Sequence, residues 1–464
     1  MAKLPSSTLV DIQINLLGAA ASVDGFGVPM IIDTQNIKSA AAGVPVITTC
    51  YNMQDLANAG YATYTKAYKL ALALSSQSQR VAKFKVASVS TLSSAELSAV
   101  EAADGIWYAL LLTSRSASDI STVATWCEGV ATRRHLFFAE SQDVAAFTGA
   151  PSTITTLETA NAIRTTCFAR KANAQVQTLT ISAAFVALNS VTINVNGAAV
   201  GPVVFAADSD TTLANLASAI AGAGAGAICT AAVVPVGGGT ANDRVITITA
   251  LDPLVDVVLS GYACTLGASQ NTASIATTNV GAKPCDAALA GKLIPQGLGQ
   301  ATAHGKTLAG PATDDLSSSE YANVTTHGGN VYVTIGNIDQ VQKGQTSGFV
   351  AAGQHAFVDT VAMRDRLESD VQAAVMAVLT PQVGKLPFNN TGIAAVAQAA
   401  INVCQRYVAL QMLEPFKVAT AWHIPDISEV SGADKTARHL GNITANLVGT
   451  GAIQSVSLTL NISV

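Results

Sequence analysis

Between about residues 44 and 170, short apolar runs alternate with amphipathic stretches of helical period, and this alternation is the strongest constraint on the fold. Strands are expected over 44–50, 82–89, 106–113 and 136–139, and helices over 62–74, 94–103 and 117–129. Short apolar strands separated by helices of roughly 10–15 residues point to an α/β layer with a mostly parallel sheet. At about residue 174 the texture changes to a stretch rich in Thr, Val, Ala and Gly and poor in charge. Within it, a strand over 191–195 runs into an Asn196-Gly197 turn, Asp208 precedes the apolar series Leu213, Leu216, Ile220, and further strands are expected over 227–234, 244–250 and 255–259. From residue 283 the α/β texture returns, with a strand and turn over 331–336 and long helices over 356–379 and 391–413. The expected division is an arm at 1–22, an α/β domain at 23–174, an inserted outward-facing β-rich α+β domain at 175–282, a second core domain at 283–450 and an arm at 451–464. The class is mixed α/β and multi-domain, in keeping with a chain of 464 residues.

Both ends carry a period-2 pattern. Val10, Ile12, Ile14 and Leu16 fall on one face near the start, and Val456, Leu458, Leu460, Ile462 and Val464 do so at the end. An apolar-faced strand at a terminus must be tied into a sheet, either at the edge of its own domain or in a neighbouring subunit. Composition bears on that choice. Only 12% of residues are charged while 49% are hydrophobic, against roughly a quarter charged in ordinary soluble domains. So few charges cover a surface poorly, which favours burying much of it against partners. A net charge of −5 argues against nucleic-acid binding. No apolar leader follows Met1-Ala2-Lys3, and no apolar run is long enough to span a bilayer, so synthesis and retention in the cytosol without membrane insertion are expected.

Motifs for chemistry are lacking. Gly305-Lys306-Thr307 resembles the end of a phosphate loop, but Gln300 stands where the motif's first glycine belongs and Leu308-Ala309-Gly310-Pro311 does not begin a helix. Gly222, Gly224 and Gly226 lack the context of a dinucleotide loop and read as a small-residue turn. Asp208 and Asp210 read as helix caps rather than cation ligands. His135, His304, His327, His355, His423 and His439 are scattered and read as surface or interface residues. Seven cysteines form no CxxC pair and no Cys/His cluster, so neither a metal nor another cofactor is expected. Arg364, Asp365, Arg366, Glu368 and Asp370 crowd the 356–379 helix, as a solvated face or as a charged contact with another chain. No nucleophile–base arrangement stands out, and an enzyme is not expected.

One stretch is more specific. Trp422-His423-Ile424-Pro425-Asp426-Ile427-Ser428 is followed by Ala433-Asp434-Lys435-Thr436-Ala437-Arg438-His439, then Ile443 to Leu447, Gly451-Ala452-Ile453 and the last alternating segment. This order resembles the C-terminal part of contractile bacteriophage tail sheath proteins, with His439 in place of the family's second Arg and Gly441-Asn442 in place of its Pro. Looser similarity covers residues 9–32, 308–336 and 348–359, so that the likeness spans about 1–170 and 284–464 and leaves out the insert. The resemblance implies a structural subunit that polymerises in hexameric rings around a tail tube and contracts to drive it through the host envelope. It implies contacts with itself, the tail tube protein, the baseplate and the tail terminator, in a virion assembled in the host cytoplasm. It also implies that the terminal strands pair with adjacent subunits and that the C-terminal half faces the tube, with Arg364, Asp365, Arg366, Glu368, Asp370, Asp434, Lys435 and Arg438 as candidates for tube or neighbour contact. In a virion that works outside the cell, Cys167, Cys229, Cys264 and Cys285 become candidates for inter-subunit disulfides. The rival reading is a decorating or adhesive virion protein whose insert binds a host or capsid surface.

Overall fold

The computed structural model describes residues 25–130, 133–171, 173–223, 228–235, 244–348, 356–380 and 385–454. Six strands form its central sheet: β1 (Pro29–Asp33), β2 (Val46–Cys50), β3 (Phe84–Ser88), β4 (Ala109–Leu112), β5 (Leu136–Ser141) and β6 (Thr165–Ala169). They lie in the order β2-β3-β1-β4-β5-β6, all neighbours parallel except the β2–β3 pair. Alternate side chains feed two separate cores. Ile31, Val86, Leu111, Phe138 and Phe168 enter one, while Met30, Ile32, Ala87, Leu110, Phe137 and Ala139 enter the other. Burial on both faces of β1, β4 and β5 is why these strands read as largely apolar runs.

Helices α1 (Met53–Asn58), α2 (Lys66–Ser75), α3 (Ser94–Ala103), α4 (Ala117–Gly129), α5 (Ala145–Thr148) and α6 (Thr153–Thr159) connect the strands. Ser93 and Ser116 cap α3 and α4 by accepting from the N–H groups of Glu96 and Asp119, which places both helices where the pattern predicts them. Helix α2 begins at Lys66 rather than at 62, because the Thr65 hydroxyl accepts from the Tyr68 N–H and so starts it there. Leu97, Val100, Ile120, Val123, Ile154 and Leu157 from α3, α4 and α6 close the second core. Leu70 and Leu74 of α2 close only part of the first.

The insert has its own core. Strands β7 (Val176–Ile181), β8 (Ser190–Val195) and β9 (Ala198–Val204), helix α7 (Ser209–Ala221), and strands β10 (Cys229–Pro235), β11 (Arg244–Ala250), β12 (Leu259–Thr265) and β13 (Ala273–Asn279) make two antiparallel sheets. The first runs β10-β11-β7-β13 and the second β12-β8-β9. Leu179, Ile193, Leu213, Leu216, Ile220, Ile246 and Ile248 meet between them. Asn196 and Gly197 both take left-handed φ, 49° and 80°, as a two-residue hairpin turn requires. Asp208 caps α7 by accepting from the Thr211 N–H. The strand expected over 255–259 is instead β12, further along. Residues 256–258 are held as a loop because Gln175 accepts from the Val257 N–H and the Asn196 amide bonds both Asp256 O and the Val258 N–H.

Helix α8 (Cys285–Leu293) follows the insert and completes the first core, all of it buried except Lys292. It lies against α2, and a Cβ on Gly291 would stand 2.1 Å from the Leu74 carbonyl oxygen. Helix α9 (Ser318–Thr326) and the hairpin β14 (Val331–Ile335) and β15 (Ile338–Gln342) extend this layer beside β6, where the Ala169 N–H donates to Asn330 O. The 22-residue α10 (Val358–Leu379) then bridges two cores. Val358, Val361 and Ala362 enter the first core, and Met363, Leu367, Val371 and Val375 pack against Val403, Cys404 and Tyr407 of α11 (Asn390–Ala409). Beyond α11 the chain runs over the surface. Trp422–His423 pairs with Thr444–Ala445, and the helix Gly432–Ala437 has no buried residue.

Candidate functional site

In a parallel sheet the crevice beyond the strands' carboxyl ends, where successive crossovers diverge, is the usual ligand position. Here β1 leads towards β2 and β3 while β4 leads towards β5 and β6, which puts that crevice between β1 and β4. Its polar groups are taken up by the chain itself. The Asp33 carboxylate accepts from the Gln35 and Ile37 N–H groups and from the Ser88 hydroxyl, each at 3.0 Å. The Thr34 N–H donates to Thr113 Oγ1 at 2.9 Å. Arg115 grips Asp286 with two guanidinium nitrogens, and Glu140 accepts from the Cys285 N–H at 2.6 Å. Arg170 lies against the Cys285 thiol, pairs with Asp314 at 2.9 Å and donates to Ala312 O at 2.8 Å. Burial pushes the Asp33, Glu140 and Asp314 carboxyls above their ordinary range. The carboxyl edge of the sheet thus seats the start of α8 and its own loops.

A second polar cluster lies where α10 meets the sheet. Asp365, fully buried, accepts from Arg164 at 2.7 Å and from the Tyr108 hydroxyl at 2.9 Å, with Arg364 at 3.4 Å. Glu128 accepts from the Arg164 N–H. Glu368 faces Arg134, and both are buried. Three arginines and three carboxyls balance in formal charge. Attraction, chiefly to Asp365, prevails over burial at Arg164, which is held above its ordinary value, whereas burial prevails at Glu368, Glu128 and Arg134. Desolvation raises Glu368 to about 7 against the pull of Arg134, raises Glu128, and lowers Arg134 to about 10. Such a buried pair can add little net stability and still be costly to break, because removing one partner leaves an uncompensated buried charge.

The candidate contact residues therefore divide. Arg364, Asp365 and Glu368 form no solvated face. They are buried within the chain, because α10 is packed on the sheet side as well as on α11. Asp370 is also used internally, accepting from Arg406 at 2.6 Å and the Tyr407 hydroxyl at 3.0 Å, and Arg366 is half-buried. Lys435 and Arg438 are exposed on the Gly432–Ala437 helix and its left-handed C-cap, with Asp434 half-buried against the capping Ser431. Cys167, Cys229, Cys264 and Cys285 are free thiols buried in the chain's own cores, which removes them from any surface where a second chain could reach them. His135 is not at the surface either: its ring stacks on Trp107 with centroids 3.8 Å apart and lies near-parallel to Trp126 at 5.2 Å, and burial lowers its pKa. Val10, Ile12, Ile14 and Leu16, and Val456, Leu458, Leu460, Ile462 and Val464, lie outside the described residues.

Sequence reasoning did not single out Arg115, Arg164, Arg170, Glu140, Asp286 or Asp314. The signal available for three of them is position: Arg164 and Arg170 bracket the apolar β6, and Glu140 sits inside the apolar β5. A charge abutting a two-face-buried strand has no water to turn to and needs a partner.

No protein-family model and no curated protein matches the chain by sequence. Structure is more informative. A chain of the cryo-EM structure of the anti-feeding prophage baseplate superposes with a TM-score of 0.52 at 12% identity, covering 100% of both chains. A chain of an extracellular contractile injection system, the PVC sheath complex in its contracted state, superposes with a TM-score of 0.52 at 11% identity, covering 100% of this chain and 99% of that one. The chain has the overall fold of these two chains.

Proposed function

We propose that the chain is a structural subunit of a contractile injection apparatus, a tail sheath protein that polymerises around a tube and catalyses no reaction. The observation that carries this reading is the end-to-end likeness to a chain of a contracted sheath complex. Two features are in keeping with it. The polar groups at the sheet's carboxyl edge are engaged by α8 and adjoining loops, and the segment after α11 is largely exposed, with Ile424, Val448 and Ile453 among its open apolar side chains. On this reading those side chains meet neighbouring copies, Lys435 and Arg438 contact the tube or an adjacent subunit, and the segments at 8–16 and 455–464 add strands to neighbouring subunits. Many small interface changes summed over a polymer then do the mechanical work. The partners are further copies, the tube protein, the baseplate and the terminator. The test is electron microscopy of the purified protein beside a version ending at Gly451. Wide hollow ribbed tubes from the first and only small particles from the second are expected. Discrete particles from both, even with tubes supplied, would overturn the sheath reading in favour of a decorating protein.

A further inference from the structure

The insert's larger sheet has two open edges. Strand β13 pairs with β7 on one side, strand β10 pairs with β11 on one side, and among the described residues nothing pairs with the other side of either. Open edges are ordinarily guarded by charge, especially lysine, or by an interior proline. Here β10 reads CTAAVVP and β13 reads ASIATTN, without a charged residue, and the one proline ends its strand. The whole of residues 175–282 contains no lysine, and its charges are Asp208, Asp210, Asp243, Arg244, Asp252 and Asp256. Asp208 already caps α7, Asp252 pairs with Lys66, and Asp256 pairs with Lys69 of α2.

The core beside β13 is also incomplete. Ile275 lies opposite Leu179 of β7, so the two side chains share the core-facing side of the sheet. Leu179 is fully buried, yet Ile275 is 39% exposed, and Val280 just beyond β13 is exposed as well. At the other edge Val234 of β10 is open, while the core-facing side of β10 is covered by α7. One edge therefore lacks a cover and the other carries one.

Every neighbouring pair in this four-stranded sheet is antiparallel, so its two edge strands run in opposite directions. Copies that keep a common orientation along a polymer can lay β10 of one against β13 of the next as an ordinary antiparallel pair. Contact between two different edges is heterologous and propagates, whereas pairing of β13 with itself would close a two-fold dimer. We propose that the insert is an inter-subunit joint: β13 of one copy takes β10 of a second copy, joining their sheets and bringing the α7 flank of that copy towards the open side at Ile275. This rests on the polymeric reading above and adds a contact separate from the terminal segments.

Hydrogen exchange of the full chain, unassembled and as tubes, tests it at peptides covering 228–235 and 272–280. Both should slow by about 10-fold or more on assembly, as pairing of open backbone groups requires. Ile275→Lys, which places a charge on the joint, should remove the slowing at both peptides; Thr277→Lys serves in its place if that variant does not fold. Tubes in which both peptides exchange as fast as in the free chain would overturn the joint and leave the sheath reading standing. A discrete dimer protected only at 272–280 would overturn it in favour of two-fold pairing. Absence of any polymer would overturn the sheath reading, and the joint with it.

Discussion

Replacing Glu368 by Gln should make the folded chain more stable at alkaline pH and leave it unchanged in acid. Burial raises the Glu368 carboxyl from an ordinary 4.5 to about 7, with Arg134 beside it only partly offsetting the desolvation. The folded state therefore binds this proton more tightly than the unfolded chain does. For an acid raised in this way the stabilising contribution is complete below the unfolded pKa near 4.5 and is lost as pH rises through 7. Linkage converts that shift into about 2.5 kcal/mol lost between pH 5 and pH 8. Glutamine carries no titrating proton and resembles the protonated acid in shape. Urea unfolding of the unassembled chain, followed by fluorescence of the buried Trp107 and Trp126, should then show the variant more stable by about 3 kcal/mol at pH 8 and by only about 1 kcal/mol at pH 5. Using the difference between the two proteins cancels the other raised carboxyls, Asp33, Glu128, Glu140, Asp314 and Asp359. A difference independent of pH would refute the reasoning, since the charge on Glu368 would then not be what α10 resists burying.

Asp365→Ala should cost about 3–5 kcal/mol in the same urea assay, because it leaves Arg164 buried without its acceptor; a loss below about 1 kcal/mol would mean that the pair is solvated. Gly291→Ala places a methyl 2.1 Å from the Leu74 carbonyl and should cost about 1–3 kcal/mol through separation of α2 from α8, read as a lower urea midpoint. Cys167, Cys229, Cys264 and Cys285 should resist an aromatic disulfide reagent in the native protein and react promptly in urea, and the chain should run as a monomer on non-reducing gels. Burial also raises the thiols of Cys167, Cys229 and Cys285, which lowers the thiolate fraction further.

Helices that carry their own punctuation were legible in the sequence. Helices α3, α4 and α7 each start behind a Ser or Asp whose side chain takes a first-turn N–H, and such a signal is local. Strand β1 was not read as one, although it lies at the centre of the sheet. It is five residues long, opens with Pro29, and has no helix before it among the described residues to establish an alternation. Helix α8 was missed for another reason: a helix buried on nearly every side has no polar stripe, and its hydrophobic period vanishes. The charges on α10 were visible but assigned to water or to another chain. Their partners Tyr108 and Arg164 lie 257 and 201 residues earlier, and nothing within a helix's own period reports a neighbour at such separations. Lys435 and Arg438, which the resemblance alone singled out, are exposed on and beside a helix with no buried residue.

The insert leaves the α/β layer and returns to it at nearly the same point, where the Ala282 N–H donates to Asn173 O at 2.9 Å. Its core draws on residues between 179 and 264, with only partly buried neighbours added at the margins. Topologically it is a detachable cartridge. A short turn closing 173 onto 282 would leave the flanking strand and α8 in place, and a foreign domain whose own ends lie a few ångströms apart could be seated in the same socket. Deliberate grafting would then act at one position of the chain, exchanging one domain for another while leaving the underlying layer to fold as before.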